Sequence, residues 1–153
     1  MESDEQPDSV RDQLHAIENG ELASWVVYPA TPVWWAPGFG LWAAALALVI
    51  GLLDGAGQSL AQLGLVLLLF LLVAWDRRRR GTYPSGRPPR DFRRAMYGLL
   101  LGATLTAGGA WVVGEQFGVW AAAAIAGVGS WVVVAWYERE YAAIAAQIRE
   151  RLA

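Results

Sequence analysis

The chain has 153 residues, of which 56% are hydrophobic and 17% charged, and its mean hydropathy is +0.32. Soluble domains carry about 25% charged residues, so this composition excludes disorder over most of the chain and points to a membrane protein without a separate soluble catalytic domain. The net charge of −2 hides a separation, because all twelve basic residues are Arg and eight of them fall within 77–94, while the absence of Cys and the single His15 exclude disulfides, thiolate nucleophiles and His-rich metal sites.

Residues 1–33 form an acidic segment, with seven Asp and Glu in 1–21. Its start is acidic where a secretory signal needs positive charge, so the first apolar helix is expected to stay in the protein. Asp8 or Ser9 caps an expected short helix over 10–18, ended by Asn19-Gly20, with Val10, Leu14 and Ile17 on one face. The first span, 34–53, holds no charge, and about 20 apolar residues at 1.5 Å rise match the hydrocarbon core of a bilayer. A turn over 54–59 leads to the second span, 60–75, which is close to the minimum length.

Residues 76–94 follow as a basic segment containing Arg77, Arg78, Arg79, Arg80, Arg87, Arg90, Arg93 and Arg94. Gly81, Pro84, Gly86, Pro88 and Pro89 break a continuous helix there, so an irregular loop is expected, with Tyr83 and Phe92 dipping into the membrane interface. The third span is 95–114, the second turn 115–116 and the fourth span 117–137. Residues 138–153 carry the fourth helix on into water, with Tyr141, Ile144, Ile148 and Leu152 on one face.

The expected fold is therefore all-α, an integral membrane four-helix bundle of two hairpins with a short amphipathic cytoplasmic helix at each terminus. A soluble bundle would need polar outer faces, and the stretch LGLVLLLFLLVAW is apolar all round. The positive-inside rule makes the arginine loop cytoplasmic, which puts both termini on that side of a plasma (inner) membrane and both turns outside. Neither turn has a basic residue, and Trp34, Trp35, Trp75 and Trp136 fall at the expected cytoplasmic boundary, where amphipathic rings prefer to sit.

The two hairpins align at a constant offset of 61 residues, Asp54 with Glu115, Gly57 with Gly118, Ala61 with Ala122 and 73–75 with 134–136. A duplication of this kind gives a pseudo-two-fold axis along the membrane normal. Chance is the other reading, since Ala, Gly, Val and Trp are common here.

Helix association in lipid depends on close van der Waals contact, which small residues permit. Ala43, Ala47, Gly51 and Gly55 recur every four positions in the first helix, and Gly98, Gly102, Thr106, Ala110 and Gly114 in the third. The fourth has Ala122, Ala126 and Ser130, whereas the second is Leu-rich and presents mostly to lipid. Gly51, Gly55, Gly98, Gly102, Ala126 and Ser130 are the expected helix-packing residues, used within one chain or between two.

Chemistry is sparse. No Asp, Glu, Arg or His lies within a span, which removes the usual device of a coupled transporter. Asp54 and Glu115 sit at the turns, and read either as solvated loop residues or as an external cation site. Ser59 and Ser130 have no partner His at membrane depth, and no phosphate-binding loop or dinucleotide fingerprint is present, so no enzyme and no cofactor is expected. The arginines either set topology alone or hold anionic lipid headgroups or a protein partner, at about 1 kcal/mol per basic residue near a charged membrane surface. Nucleic acid is not expected, because the loop lacks a folded reading motif. The acidic N-terminal segment lies opposite the arginine loop and is expected to compete with lipid for it. A non-enzymatic accessory or scaffold subunit is the expected role; a small oligomeric transporter or channel subunit, with a polar file of Gln58, Gln62, Thr104 and Thr106, is the alternative.

Overall fold

The structure, a computed structural model, describes residues 31–80 and 90–152. The expected helix over 10–18, the acidic segment, Tyr83 and Arg87 lie outside the described residues, as do the side chains of Arg80, Arg90 and Leu152. The described chain folds into α1 (Trp35–Leu52), α2 (Gly55–Arg80), α3 (Arg90–Phe117) and α4 (Val119–Leu152). All four helices are long and apolar enough to cross a membrane.

Their ends differ from the sequence expectation for local reasons. Pro37 fits inside the first turn of α1, where its missing N–H has no intrahelical partner to lose, and the Trp35 N–H turns back to the Pro32 carbonyl at 2.9 Å. The first turn shrinks to Leu53 and Asp54, because Gly55 at φ +58° reverses the chain and α2 begins there. Gly118 at φ +86° does the same alone between α3 and α4, so Glu115 and Gln116 are helical and not a turn. At the opposite end α2 runs on through Arg80 and α3 starts at Arg90. The expected irregular loop therefore loses both its ends to helix: Arg is a good helix former, cations suit the last turn of α2, and the Gly and Pro breakers are confined to 81–89.

The helices form an open row in the order α2, α1, α4, α3. Backbone contacts join α1 to α2, α1 to α4 and α3 to α4, and no other pair. The α1–α4 seam is made at glycine: a Cβ added at Gly40 would stand 2.7 Å from the Gly127 carbonyl oxygen and 3.0 Å from Trp131 Cβ, and one at Gly127 would stand 3.1 Å from Ala44 Cβ. Gly51 closes the same seam against Val119. On α3, Gly98 faces the Trp136 ring, Gly102 the Val133 side chain and Gly114 Ala122, while Thr106 fills the space at Gly129. At about 100° per residue, the α4 residues facing α1 and those facing α3 centre about 150° apart. The central helix thus has small residues on two nearly opposite sides, and its neighbours lie in a row.

On the far side of α1 from Gly40, α2 is held by long side chains. The Trp42 indole N–H donates to the Leu65 carbonyl at 2.9 Å, and the Gln58 amide donates to the Ile50 carbonyl at 3.1 Å. Apart from Asp76, no described residue of α2 is buried, in keeping with its Leu-rich composition. An open row also lacks the symmetry a duplication would bring. Exchanging the two hairpins would convert the α1–α4 seam into an α3–α2 seam, and those helices do not touch.

Gly40→Ala forces a side chain onto a backbone carbonyl that cannot turn away. It should destabilise the protein in mild detergent by about 1–3 kcal/mol. Gly108→Ala, whose Cβ meets nothing within 4 Å, should be neutral or stabilising by up to about 1 kcal/mol. Thermal melting followed by Trp fluorescence distinguishes the two.

Candidate functional site at the arginine-rich end

Charge is excluded from α2 between Asp54 and Asp76 and from α3 between Arg94 and Glu115, about 30 Å of helix in each. The antiparallel pairings set the levels: Trp34 on α1 meets Trp75 on α2, and Gly98 on α3 meets Trp136 on α4. Asp76, Arg94 and Glu138 therefore begin the polar part of their helices close to one level, just past a band of tryptophans.

On the α1–α2 side that band is a connected ladder. Trp34 meets Trp35 edge-on at 5.5 Å and Trp75 at 6.4 Å; Trp35 meets Phe39 at 6.2 Å, and Phe39 meets Trp42 at 5.8 Å. Edge-on and tilted ring pairs add to the apolar contact between them. Above the ladder, the Arg79 guanidinium lies 3.9 Å from the centre of the Trp75 ring. Asp76 is buried and, like Arg77, is engaged within the fold. Arg78 and Arg79 are exposed.

On the α3–α4 side, Phe92 does not dip into an interface as expected. It is 2% exposed and packs on Tyr141 with ring centres 4.8 Å apart. Tyr137 meets Tyr141 at 6.1 Å, and Ile144 and Ile148 complete the cluster. The amphipathic stripe of α4 beyond the apolar region thus finds its cover at the first turns of α3, with Phe92 as the inserted side chain. Arg93 and Arg94, next in α3, are exposed. The described arginines of the 77–94 run are consequently divided between two helices that do not pack on each other, Arg77 to Arg79 on α2 and Arg93 and Arg94 on α3.

Of the expected packing residues, Gly51, Gly98 and Gly102 lie in helix seams. Gly55 meets nothing within 4 Å and serves the turn through its positive φ, a correction to its expected packing role. Ala126 and Ser130 are half-buried on α4. Strict four-residue spacing missed Gly40, Ala44, Gly127 and Gly129. A stripe at every fourth residue drifts about 40° per step, and the true contact face follows the 3.6-residue period. Within the chain the polar file of Gln58, Gln62, Thr104 and Thr106 is dispersed: Gln58 bonds an α1 carbonyl, Gln62 is half-buried on α2, Thr104 bonds the carbonyl four residues back at 2.9 Å, and Thr106 packs on Gly129, while Ser59, outside the file, bonds the Gly55 carbonyl at 3.3 Å. Asp54, in the first turn, and Glu115, in the last turn of α3, are both exposed, and α3 packs on neither α1 nor α2. Among the described residues, no group of three His, Cys, Asp or Glu stands together to hold a metal.

Comparison of the chain with known families, with curated proteins and with solved structures finds no match. The class defined by the fold is an all-helical protein with four helices able to cross a membrane.

Proposed function

We propose that the chain is a non-enzymatic accessory or scaffold subunit of the plasma (inner) membrane, with both termini cytoplasmic, that contacts anionic lipid or a protein partner through its arginine-rich face. One observation carries this reading: exposed guanidinium groups on α2 and α3 begin at the level where the tryptophan band ends, while the opposite end has Asp54 and Glu115 and no basic residue. Cations at that depth lie beside lipid phosphates on a cytoplasmic leaflet, whose negative surface attracts them. The second half of α4 is the second element of the proposed scaffold, because it reaches past the apolar region as a continuous helix braced by Phe92. A small oligomeric transporter remains the reading of a different class, and the hydrogen bonds that Gln58 and Thr104 make to helix carbonyls do not favour it.

Two measurements test this. The chain has no Cys, so single-cysteine variants report cleanly: Gly57→Cys should react with an impermeant thiol reagent from outside and Arg87→Cys only from the cytoplasm. Reversed labelling overturns the orientation. Crosslinking in native membranes should capture a second protein in fixed stoichiometry with this chain; a homo-oligomer alone overturns the accessory role and supports transport.

A further inference from the structure

One face of α2 has a composition that the rest of the fold uses only at Trp75, where the ring meets Trp34. Residues Gly57, Gly64, Leu68, Leu71, Trp75 and Arg79 fall within about 80° of one another around the helix at 100° per residue. This stripe stands about 90° away from the side turned to α1, which carries the half-buried Gln58, Leu65 and Leu72 and the buried Asp76. Leu68 and Leu71 are exposed, and a Cβ at Gly57 or Gly64 would meet nothing within 4 Å. Gly in a helix interior costs about 1 kcal/mol relative to Ala. At Gly40, Gly51, Gly98, Gly102, Gly127 and Gly129 a neighbouring helix takes the space, and at Gly57 and Gly64 of this stripe, as at Gly108 of α3, no part of the described protein does.

The polar end of the stripe is equally specific. The Arg79 guanidinium carbon lies over the Trp75 ring, 3.9 Å from its centre, a cation–π contact. A guanidinium held beside a ring in this way still has five N–H donors in a planar fork, the arrangement that can pair two phosphate oxygens at once. Arg78, one helical turn above Trp75 on its other flank, adds a second exposed cation. From Trp75 to Gly64 is about 16 Å along the helix, close to the depth of one leaflet of a 30 Å hydrocarbon core.

We propose that this stripe is a binding site for one anionic phospholipid, its phosphate on Arg79 and Arg78 above Trp75 and an acyl chain along Leu71 and Leu68 to the bare backbone at Gly64. The assignment rests on the membrane reading above and narrows it: the lipid contact is a seat on α2 and not a diffuse attraction to all the arginines. The Trp75 ring both orients the guanidinium and packs on the glycerol region. Leu68 and Leu71 then guide the chain, and Gly64 gives it room at the midplane.

The test uses the full chain reconstituted in phosphatidylcholine vesicles containing a minority of phosphatidylglycerol, extracted in mild detergent and weighed intact by native mass spectrometry. The wild-type chain should retain one phosphatidylglycerol in preference to phosphatidylcholine. Arg79→Lys and Trp75→Leu should each lower that preference about fivefold, although the first keeps every charge and the second touches none. Gly64→Leu should lower it as well without lowering the melting temperature, and Trp111→Leu, on an exposed ring of α3, should leave it unchanged. Unchanged preference in Arg79→Lys, Trp75→Leu and Gly64→Leu overturns the α2 site while leaving the wider lipid reading intact. Absence of any preference in the wild-type chain overturns both. Release of the lipid by millimolar inorganic phosphate would show a soluble-anion site and overturn the lipid assignment.

Discussion

Lipid tails solvate a leucine helix as well as another leucine helix does, so hydrophobicity enables four helices like these to cross a membrane without telling them where to pack. What lipid cannot match is a backbone surface brought against another backbone, and the Gly40–Gly127 approach is the tightest such contact made by the described glycines. The position of α4 follows from it. Glycine and alanine on one side admit α1, Gly129 and Ala122 on the other admit Thr106 and Gly114 of α3, and the central helix fixes both neighbours. Large residues at these positions would leave the helices separated by a layer of side chains.

The position of α2 depends on that frame by a different chemistry. It has no glycine in contact with α1 and is tied by indole and amide hydrogen bonds to helix carbonyls, with the Trp34–Trp75 pair at the arginine-rich end. Each such bond between membrane helices contributes roughly 0.6–2 kcal/mol, so α2 is the least firmly held of the four. This leaves its remaining surface open, and the same helix carries the Arg79–Trp75 stack. At the other edge of the row, Phe92 fixes the start of α3 to α4 outside the apolar region, so Arg93 and Arg94 stand on a braced helix. The two groups of arginines consequently belong to parts of the molecule with different stiffness.

Helix number and approximate spans are legible in the sequence because 20-residue uncharged runs leave few alternatives. The turns are less so: Gly55 and Gly118 each reverse the chain in a residue or two, which no composition around Asp54 or Glu115 signals. Periodicity of small residues identifies the α3 face, where Gly98, Gly102, Thr106 and Gly114 all meet α4, but on α1 it finds Gly51 and misses Gly40 and Ala44, which also do the packing. Row against bundle is not legible at all, since a stripe of small residues does not name its partner helix. The arginine run is evident from sequence; the stacking of Arg79 on Trp75 needs the helix to continue past residue 75, which the glycine and proline content of the following segment obscures.

The central claim, that α4 organises an open row, is tested most directly by disulfide trapping in this cysteine-free chain. Ala44→Cys paired with Gly127→Cys, and Gly114→Cys paired with Ala122→Cys, place Cβ atoms 3.1 Å apart, near disulfide geometry. Both pairs should close under mild oxidation in membranes, whereas Leu71→Cys paired with Leu101→Cys, between α2 and α3, should not. A closed four-helix bundle would add an α2–α3 bridge; closure of the 71–101 pair, or a 44–127 pair left reduced, would contradict the account.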